Sequence, residues 1–190
     1  MRIIAGKFRS RQVRSLPGAE LRPTSDRLRE TLFNVIAATR TIEDTIWFDL
    51  FAGTGAVGIE ALSRGARMVY FAEATRKSVE LIQQNLLALN LASGFQILQQ
   101  DSASAIAKVS EPVDICFLDP PYKMEEQYEK VLTTLANASL LRENSMVIAE
   151  HSKHFDPREH YGRLKRFRKL VQGDAVLSFY RISNSSSNKR

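Results

Sequence analysis

Cysteine is nearly absent: Cys116 is the only one in 190 residues, so no disulfide can form within the chain. A reducing compartment is the expectation, with the cytoplasm the plain choice. Histidine is scarce too, at His151, His154 and His160. No cysteine lies near them and no acids complete a ligand pattern, so no metal is expected. No apolar run reaches the ~18 residues of a membrane-spanning helix. The opening residues, Met-Arg-Ile-Ile-Ala-Gly-Lys, lack the apolar stretch and cleavage site of a signal peptide. Membrane, disulfide-scaffold and metal-dependent classes recede together.

Charge is present, and it is segregated. The net charge of +6 divides into +6 over residues 1–40, −7 over 41–150 and +7 over 151–190. Two basic ends around an acidic middle point to a polyanionic partner held beside the core, although a solvated basic surface has the same composition.

The middle is organised around residues 45–58, Thr-Ile-Trp-Phe-Asp-Leu-Phe-Ala-Gly-Thr-Gly-Ala-Val-Gly. Ile46–Phe51 reads as a buried strand interrupted by Asp49, followed by a glycine turn and a helix from Ala56 to Arg64. Gly53 and Gly55 let the backbone turn sharply and approach a ligand with no Cβ between. Free N–H groups at the helix start then face an anionic group. Alone, G-x-G-x-x-G is also found in ordinary strand-to-helix turns.

Further strands are expected at Met68–Glu73, Phe95–Asp101, Val113–Asp119 and Ser145–Glu150. A closing hairpin, Arg163–Val171 and Ala175–Ile182, turns at Gln172-Gly173-Asp174. Helices are expected over 76–89, near 103–109, and around Tyr128, Val131, Leu132 and Leu135. Cys116 falls mid-strand as a buried, inert thiol. Alternating strands and helices imply an α/β, doubly wound, mostly parallel seven-stranded sheet with an antiparallel last strand. Ligands sit at the carboxyl ends of such strands, where Gly53, Glu73, Asp101 and Asp119 all fall.

Before the core, residues 2–16 read as an N-terminal β-hairpin arm turning at Gly6-Lys7. Arg2, Lys7, Arg9, Arg11 and Arg14 alternate with apolar residues, as a phosphate-tracking ribbon requires. Arg22-Pro-Thr-Ser-Asp26 starts a helix that runs to about Thr39. Lys165, Arg166, Arg168 and Lys169 make a second candidate RNA-facing surface. Residues 1–182 are taken as one domain, and the Ser/Asn-rich tail from 183 as disordered.

With Asp119-Pro-Pro-Tyr122 added to Phe48-Asp-Leu-Phe-Ala-Gly-Thr-Gly55, the chain resembles the class I S-adenosylmethionine-dependent methyltransferases. Arg2-Ile-Ile-Ala-Gly6 and Arg22-Pro-Thr-Ser-Asp-Arg-Leu-Arg-Glu-Thr-Leu-Phe-Asn34 narrow the likeness to bacterial enzymes that methylate N2 of a guanine in 16S ribosomal RNA. The resemblance covers all but the tail and implies a Rossmann-like fold. It also implies that S-adenosylmethionine is the cofactor, that Asp49, Gly53, Gly55 and Gly58 hold its methionine part, and that Glu73 takes the ribose. Asp101 and Ser102 would take the adenine, with Thr24, Arg27 and Glu30 approaching from the N-terminal helix. Asp119 and the Pro120 carbonyl would accept the hydrogens of the target amine, and Tyr122 would stack on the base. The implied partner is ribosomal RNA, free or in an assembled small subunit, met by a monomer. Two departures stand out. Thr75 replaces a second acid frequent in relatives, and Arg9-Ser-Arg11 replaces a pattern with glycine between the basic residues.

The motif does not choose the base. Adenine N6, cytosine N4 or a protein glutamine remains open as the methylated amine, and so does a non-catalytic RNA-binding assembly factor. A nicotinamide oxidoreductase would share the glycines but would give Asp-Pro-Pro-Tyr no role.

Overall fold

The computed structural model describes residues 1–15, 25–121 and 123–183. Thr24, Tyr122 and the tail from 184 lie outside the described residues. Among the described residues, five helices, α1 (Asp26–Ala37), α2 (Ala56–Ser63), α3 (Arg76–Ala88), α4 (Ser102–Ile106) and α5 (Glu126–Asn137), pack on the two faces of one sheet. Its strands are β1 (Ile46–Asp49), β2 (Met68–Ala72), β3 (Phe95–Leu98), β4 (Val113–Leu118), β5 (Leu141–Ser152), β6 (His160–Tyr161), β7 (Leu164–Gln172) and β8 (Ala175–Ile182). They lie in the order β3-β2-β1-β4-β5-β8-β7-β6. The first five are mutually parallel, and β8 runs antiparallel to both β5 and β7.

Eight strands replace the expected seven. The addition is β6, whose two residues pair with Lys165 and Leu164. A two-residue strand carries no periodicity to read. Likewise β5 begins at Leu141, before the apolar run at Ser145. Val113 of β4 pairs with Leu141 and Ile115 with Met146, and the intervening Arg142, Glu143 and Asn144 of β5 are exposed at this irregularity.

Strand alternation sends successive side chains to opposite faces, giving two cores. Trp47, Val69, Phe71, Ile115, Phe117, Ile148, Leu177 and Phe179 face α1, α2, α3 and the arm. Phe48, Tyr70, Cys116, Leu118, Val147 and Tyr180 face α4 and α5. On the first face α2 lies unusually close to the sheet. A Cβ on Gly58 would meet Phe71 at 2.3 Å and Val69 at 2.7 Å, so only glycine permits this approach.

The arm is a compact hairpin with a single antiparallel bridge, Arg2 to Gln12, rather than a long extended ribbon. Its turn follows Gly6, whose φ is +82° and whose carbonyl accepts from the Arg9 N–H at 3.2 Å. Ile3 and Val13 are buried under it, while Arg2, Lys7, Arg9, Arg11 and Arg14 are all exposed.

What fixes the arm is a buried acid on α2. Glu60 is 0% exposed, and its carboxylate accepts the N–H groups of Ile4 at 2.8 Å and Ala5 at 3.0 Å. Arg64 reaches the same carboxylate at 2.7 Å, and Arg29 of α1 lies 3.7 Å away. Arg29, 1% exposed, also donates to Asp26 at 3.0 Å and to the Arg2 carbonyl. The sequence leaves Arg29 open as a surface, cofactor-mouth or RNA-touching residue; the structure makes it an internal tie.

Removing one partner from a buried ionic cluster costs about 3–5 kcal/mol, because the remaining charges stay desolvated. Glu60→Ala should therefore destabilise the protein by roughly that amount in denaturant titrations. It should also speed amide exchange at Ile4 and Ala5. A loss within ~0.5 kcal/mol of a surface substitution would show that the carboxylate does not hold the arm.

Candidate active site

Parallel strands bring their carboxyl ends to one edge of the sheet, and this edge gathers the candidate residues. Asp49 closes β1, Glu73 follows β2, Asp101 lies three residues beyond β3, and Asp119 follows β4. Main-chain bonds continue the strands into the loops. Leu50 N–H donates to the Phe117 carbonyl at 2.9 Å, Ala52 N–H to Ala72 at 3.0 Å, and Glu73 N–H to Leu98 at 3.1 Å.

The glycine turn is stitched to two of these acids. Gly53 has φ +54° and Gly55 φ +77°, the left-handed region that disfavours side chains. Gly53 N–H donates to Glu73 Oε2 at 3.0 Å, and Gly58 N–H donates to Asp49 Oδ2 at 3.1 Å. A Cβ on Gly53 would meet only the Phe51 carbonyl, at 3.9 Å, so this point of the loop opens outward. The N-terminus of α2 has no side-chain cap. Open space, an uncapped helix start and a partly exposed carboxylate suit a ligand with hydroxyl and charged groups.

Asp49 is 2% exposed. Burial pushes its carboxyl up to about 7; the Gly58 N–H opposes the rise and the nearby Glu73 charge adds to it. Glu73 is steered by the residue that marked a departure from the family pattern. Its Oε1 accepts the Thr75 N–H at 2.8 Å and the Thr75 hydroxyl at 3.0 Å. Thr75 also caps α3 through Ser78 N–H, so one side chain sets both the helix start and the acid. Asp101 caps α4, where the Ser104 N–H and hydroxyl and the Lys130 ammonium hold its carboxyl below the usual range.

Ser102 is placed differently from the expectation. Its hydroxyl is buried and donates to the Leu50 carbonyl, tying α4 to the end of β1 rather than facing a ligand. Asp119 is half-buried and Pro120 buried. The turn after them closes through the Pro121 carbonyl, which accepts the Met124 N–H at 2.8 Å. Arg27 and Glu30 stand exposed near the start of α1. Thr24 and Tyr122 lie outside the described residues.

His151, which follows Glu150 in β5, is fully enclosed. Its Nε2 lies 2.9 Å from Ser178 Oγ and its Nδ1 2.9 Å from the Ser152 carbonyl, with Tyr128 and Phe155 edge-on to the ring. Burial pulls its pKa down. Among the described residues, no group of three or more His, Cys, Asp or Glu could hold a metal ion.

Asn85 was missed by sequence reasoning. It lies 2% exposed on the apolar face of α3. Its Oδ1 accepts the Arg14 N–H at 2.9 Å, and its Nδ2 donates to the Arg14 carbonyl at 3.2 Å and to the Thr54 carbonyl at 3.0 Å. It therefore joins the arm to the glycine turn. A polar residue within the stripe Val79, Ile82, Leu86 and Leu89 was the available signal.

A doubly wound sheet with a glycine turn after β1, an acid after β2 and Asp-Pro-Pro after β4 defines a Rossmann-like methyltransferase. The chain belongs to the family described as Conserved hypothetical protein 95, which matches residues 1–181. It is 33% identical over 184 residues to YlbH of Bacillus subtilis, covering 95% of this chain and 98% of that one. It is 35% identical over 150 residues to ribosomal RNA small subunit methyltransferase D of Escherichia coli, covering 79% and 74%. The structure of Escherichia coli yhhF superposes with a TM-score of 0.84 at 30% identity, covering 96% of this chain and 97% of that one.

The buried Asp49 carboxyl makes stability pH-dependent. Its folded pKa of about 7 exceeds the ordinary 3.8, so the folded protein keeps a proton that the unfolded chain has already lost. Stability is therefore shed as pH rises between those values and is level above them. Asp49→Asn removes the charge and retains an acceptor for Gly58. Ligand-free parent and variant should melt most alike near pH 4 and diverge up to about pH 7, with the variant the more stable. A gap independent of pH would remove Asp49 as its source.

Proposed function

We propose that this protein transfers a methyl group from S-adenosylmethionine to the exocyclic N2 amine of a guanine in small-subunit ribosomal RNA. The observation that carries this reading is the placing of the glycine turn, Glu73 and Asp119-Pro120 on one sheet edge, in a chain whose arm exposes five cations. The name of the Escherichia coli relative supports ribosomal RNA as the substrate class. Asp-Pro-Pro followed by an aromatic residue supports an amine as the acceptor.

The cofactor fits the residues present. Glu73 Oε1 already accepts two hydrogen bonds from Thr75, but Oε2 accepts the Gly53 N–H and keeps a second lone pair with which to accept from a ribose hydroxyl. Gly53 leaves room for close approach, and the start of α2 offers main-chain donors to a carboxylate. When bound, S-adenosylmethionine supplies a methyl already activated on a sulfonium, so the protein's work is positioning and exclusion of water.

The difficult partner is the amine, whose lone pair is delocalised into the guanine ring. Asp119 and the Pro120 carbonyl each accept one amine hydrogen in this reading. That holds the nitrogen toward the methyl and favours localisation of the lone pair as the bond forms. Proline at 120 brings a stiff carbonyl and no competing N–H. Asp119 acts as an acceptor that gains strength in the transition state and need not remove a proton beforehand; the nitrogen, cationic once methylated, then sheds one hydrogen as a proton through that carboxylate or to water. Tyr122 supplies the stacking face for the extruded base. Residues 1–182 act as one catalytic unit, with the cationic arm and hairpin holding phosphates.

Methyl transfer from labelled S-adenosylmethionine to unmodified small subunits and to naked ribosomal RNA, followed by nucleoside analysis, tests the reading. Label should appear in N2-methylguanosine. Asp119→Ala should lower single-turnover transfer by about 10²-fold or more, with equilibrium cofactor binding retained. Label in N6-methyladenosine or N4-methylcytidine would keep the chemistry and discard guanine. Unchanged transfer by Asp119→Ala would remove the catalytic assignment.

A further inference from the structure

The cations of β7 are sorted between the two faces of the sheet by an irregularity that sequence periodicity does not reveal. Arg166 pairs with Tyr180 and Arg168 with Phe179, so two residues, Phe167 and Arg168, stand opposite one. This is a β-bulge, which re-aims side chains and breaks the alternation. On one side of it, Arg166 and Lys169 are already engaged. Arg166 lies 2.6 Å from Asp156 and 3.6 Å from Glu159, and Lys169 lies 2.9 Å from Asp156. Arg166 is only 10% exposed, so it is an internal tie and not the RNA contact expected from sequence.

The other side is different. Lys165 pairs with Arg181, and Arg168 pairs with Phe179, so these residues share the face that carries α1 and the arm. Among the described residues none of Lys165, Arg168 and Arg181 is in an ion pair. Between them lies Phe167, 41% exposed. Its ring is supported from within by Phe179, centroids 6.2 Å apart, and the Arg181 guanidinium lies 5.3 Å from its centre. The Arg168 guanidinium lies 6.0 Å from the centre of Phe179. The bulge has thus extruded an aromatic ring with a rigid base among three cations.

We propose that Phe167, flanked by Lys165, Arg168 and Arg181, is a stacking platform for an unpaired base of the RNA substrate, outside the reacting nucleotide. The inference rests on RNA being the substrate of the site described above. Charge complementarity selects the occupant. Exposed cations attract a phosphate chain, and an aromatic ring among them offers a π-face that suits any unstacked base. Position agrees. Leu118, the residue before Asp119, is in register with Ala149, Ser178 and Lys169 across successive strands. Phe167 lies two residues before Lys169 on β7, so three strand spacings of ~4.8 Å and two rises of ~3.3 Å put the platform roughly 16 Å from Leu118, too far for the target base and near enough for a flanking one.

The test uses the full-length protein and a fluorescent single-stranded RNA 12-mer, with a matched oligomer of abasic sugar-phosphate units. Phe167→Ala should weaken binding of the 12-mer by about tenfold, leave abasic binding unchanged, and preserve cofactor affinity and the melting temperature. Phe167→Tyr should bind like the parent. Phe167→Trp should gain emission that the 12-mer quenches and the abasic oligomer does not. Equal weakening for both oligomers would overturn the stacking role, as would no weakening of either. A loss seen with assembled subunits but absent with naked RNA would also overturn it, by making Phe167 a protein contact. If the parent methylates ribosomal RNA while Phe167→Ala behaves like it, only the platform fails; if the parent neither binds nor methylates RNA, the functional reading fails with it.

Discussion

A carboxylate with no exposure to water must find its partners inside the protein, and Glu60 obliges the rest of one face to supply them. It draws two main-chain N–H groups from the arm, a guanidinium from its own helix and another from α1. Three separate pieces of chain therefore converge on one pair of oxygens. Hydrophobic burial alone would tolerate some sliding of arm and helix over the sheet. An ionic cluster of this kind demands one arrangement. Asn85 extends that arrangement from the arm to the carbonyl of Thr54, so the loop beneath the proposed cofactor is braced from the side opposite its strand.

Much of this was legible in the sequence because it depends on local rules. Buried parallel strands announce themselves as apolar runs, and strand ends announce themselves as the acids or glycines that follow. Gly53, Glu73, Asp101 and Asp119 could be assigned to one edge without coordinates for that reason. Other features depend on partners distant in the chain and carry no local mark. Glu60 and Arg29 are separated by a strand and two loops, and either reads as surface charge until the fold joins them. Ser102 looked like a ligand contact by adjacency to Asp101, yet its hydroxyl turns inward to Leu50. Thr75 seemed the loss of an acid, whereas it holds Glu73 in place through two hydrogen bonds.

The basic residues show the same division. Composition identified the two cationic ends, but net charge cannot say which cations are already neutralised. On β7 the bulge decides. Asp156 and Glu159 hold Arg166 on one side, while Lys165 and Arg168 are left on the other beside Phe167. A period of two predicts alternate residues on one face, and a single inserted residue reverses the assignment beyond it.

Beyond the buried side chains of Ile3 and Val13, the arm is held by hydrogen bonds made mostly through its main chain. Ile4, Ala5, Lys7, Phe8 and Arg14 present N–H groups to α2 and α3, and Arg2 and Ala5 present carbonyls. Gly6 is the position that tolerates no side chain, since a Cβ there would lie 1.9 Å from the Ser63 carbonyl. Anchorage is thereby written mainly in the backbone, and the exposed cations proposed to meet RNA stand outside it. The exposed side chains at 7 and 9 take no part in that docking, and Arg11 adds one contact, to the Ala88 carbonyl at 3.3 Å, so the surface of the arm can change at 7 and 9 while the framework beneath it stays constant.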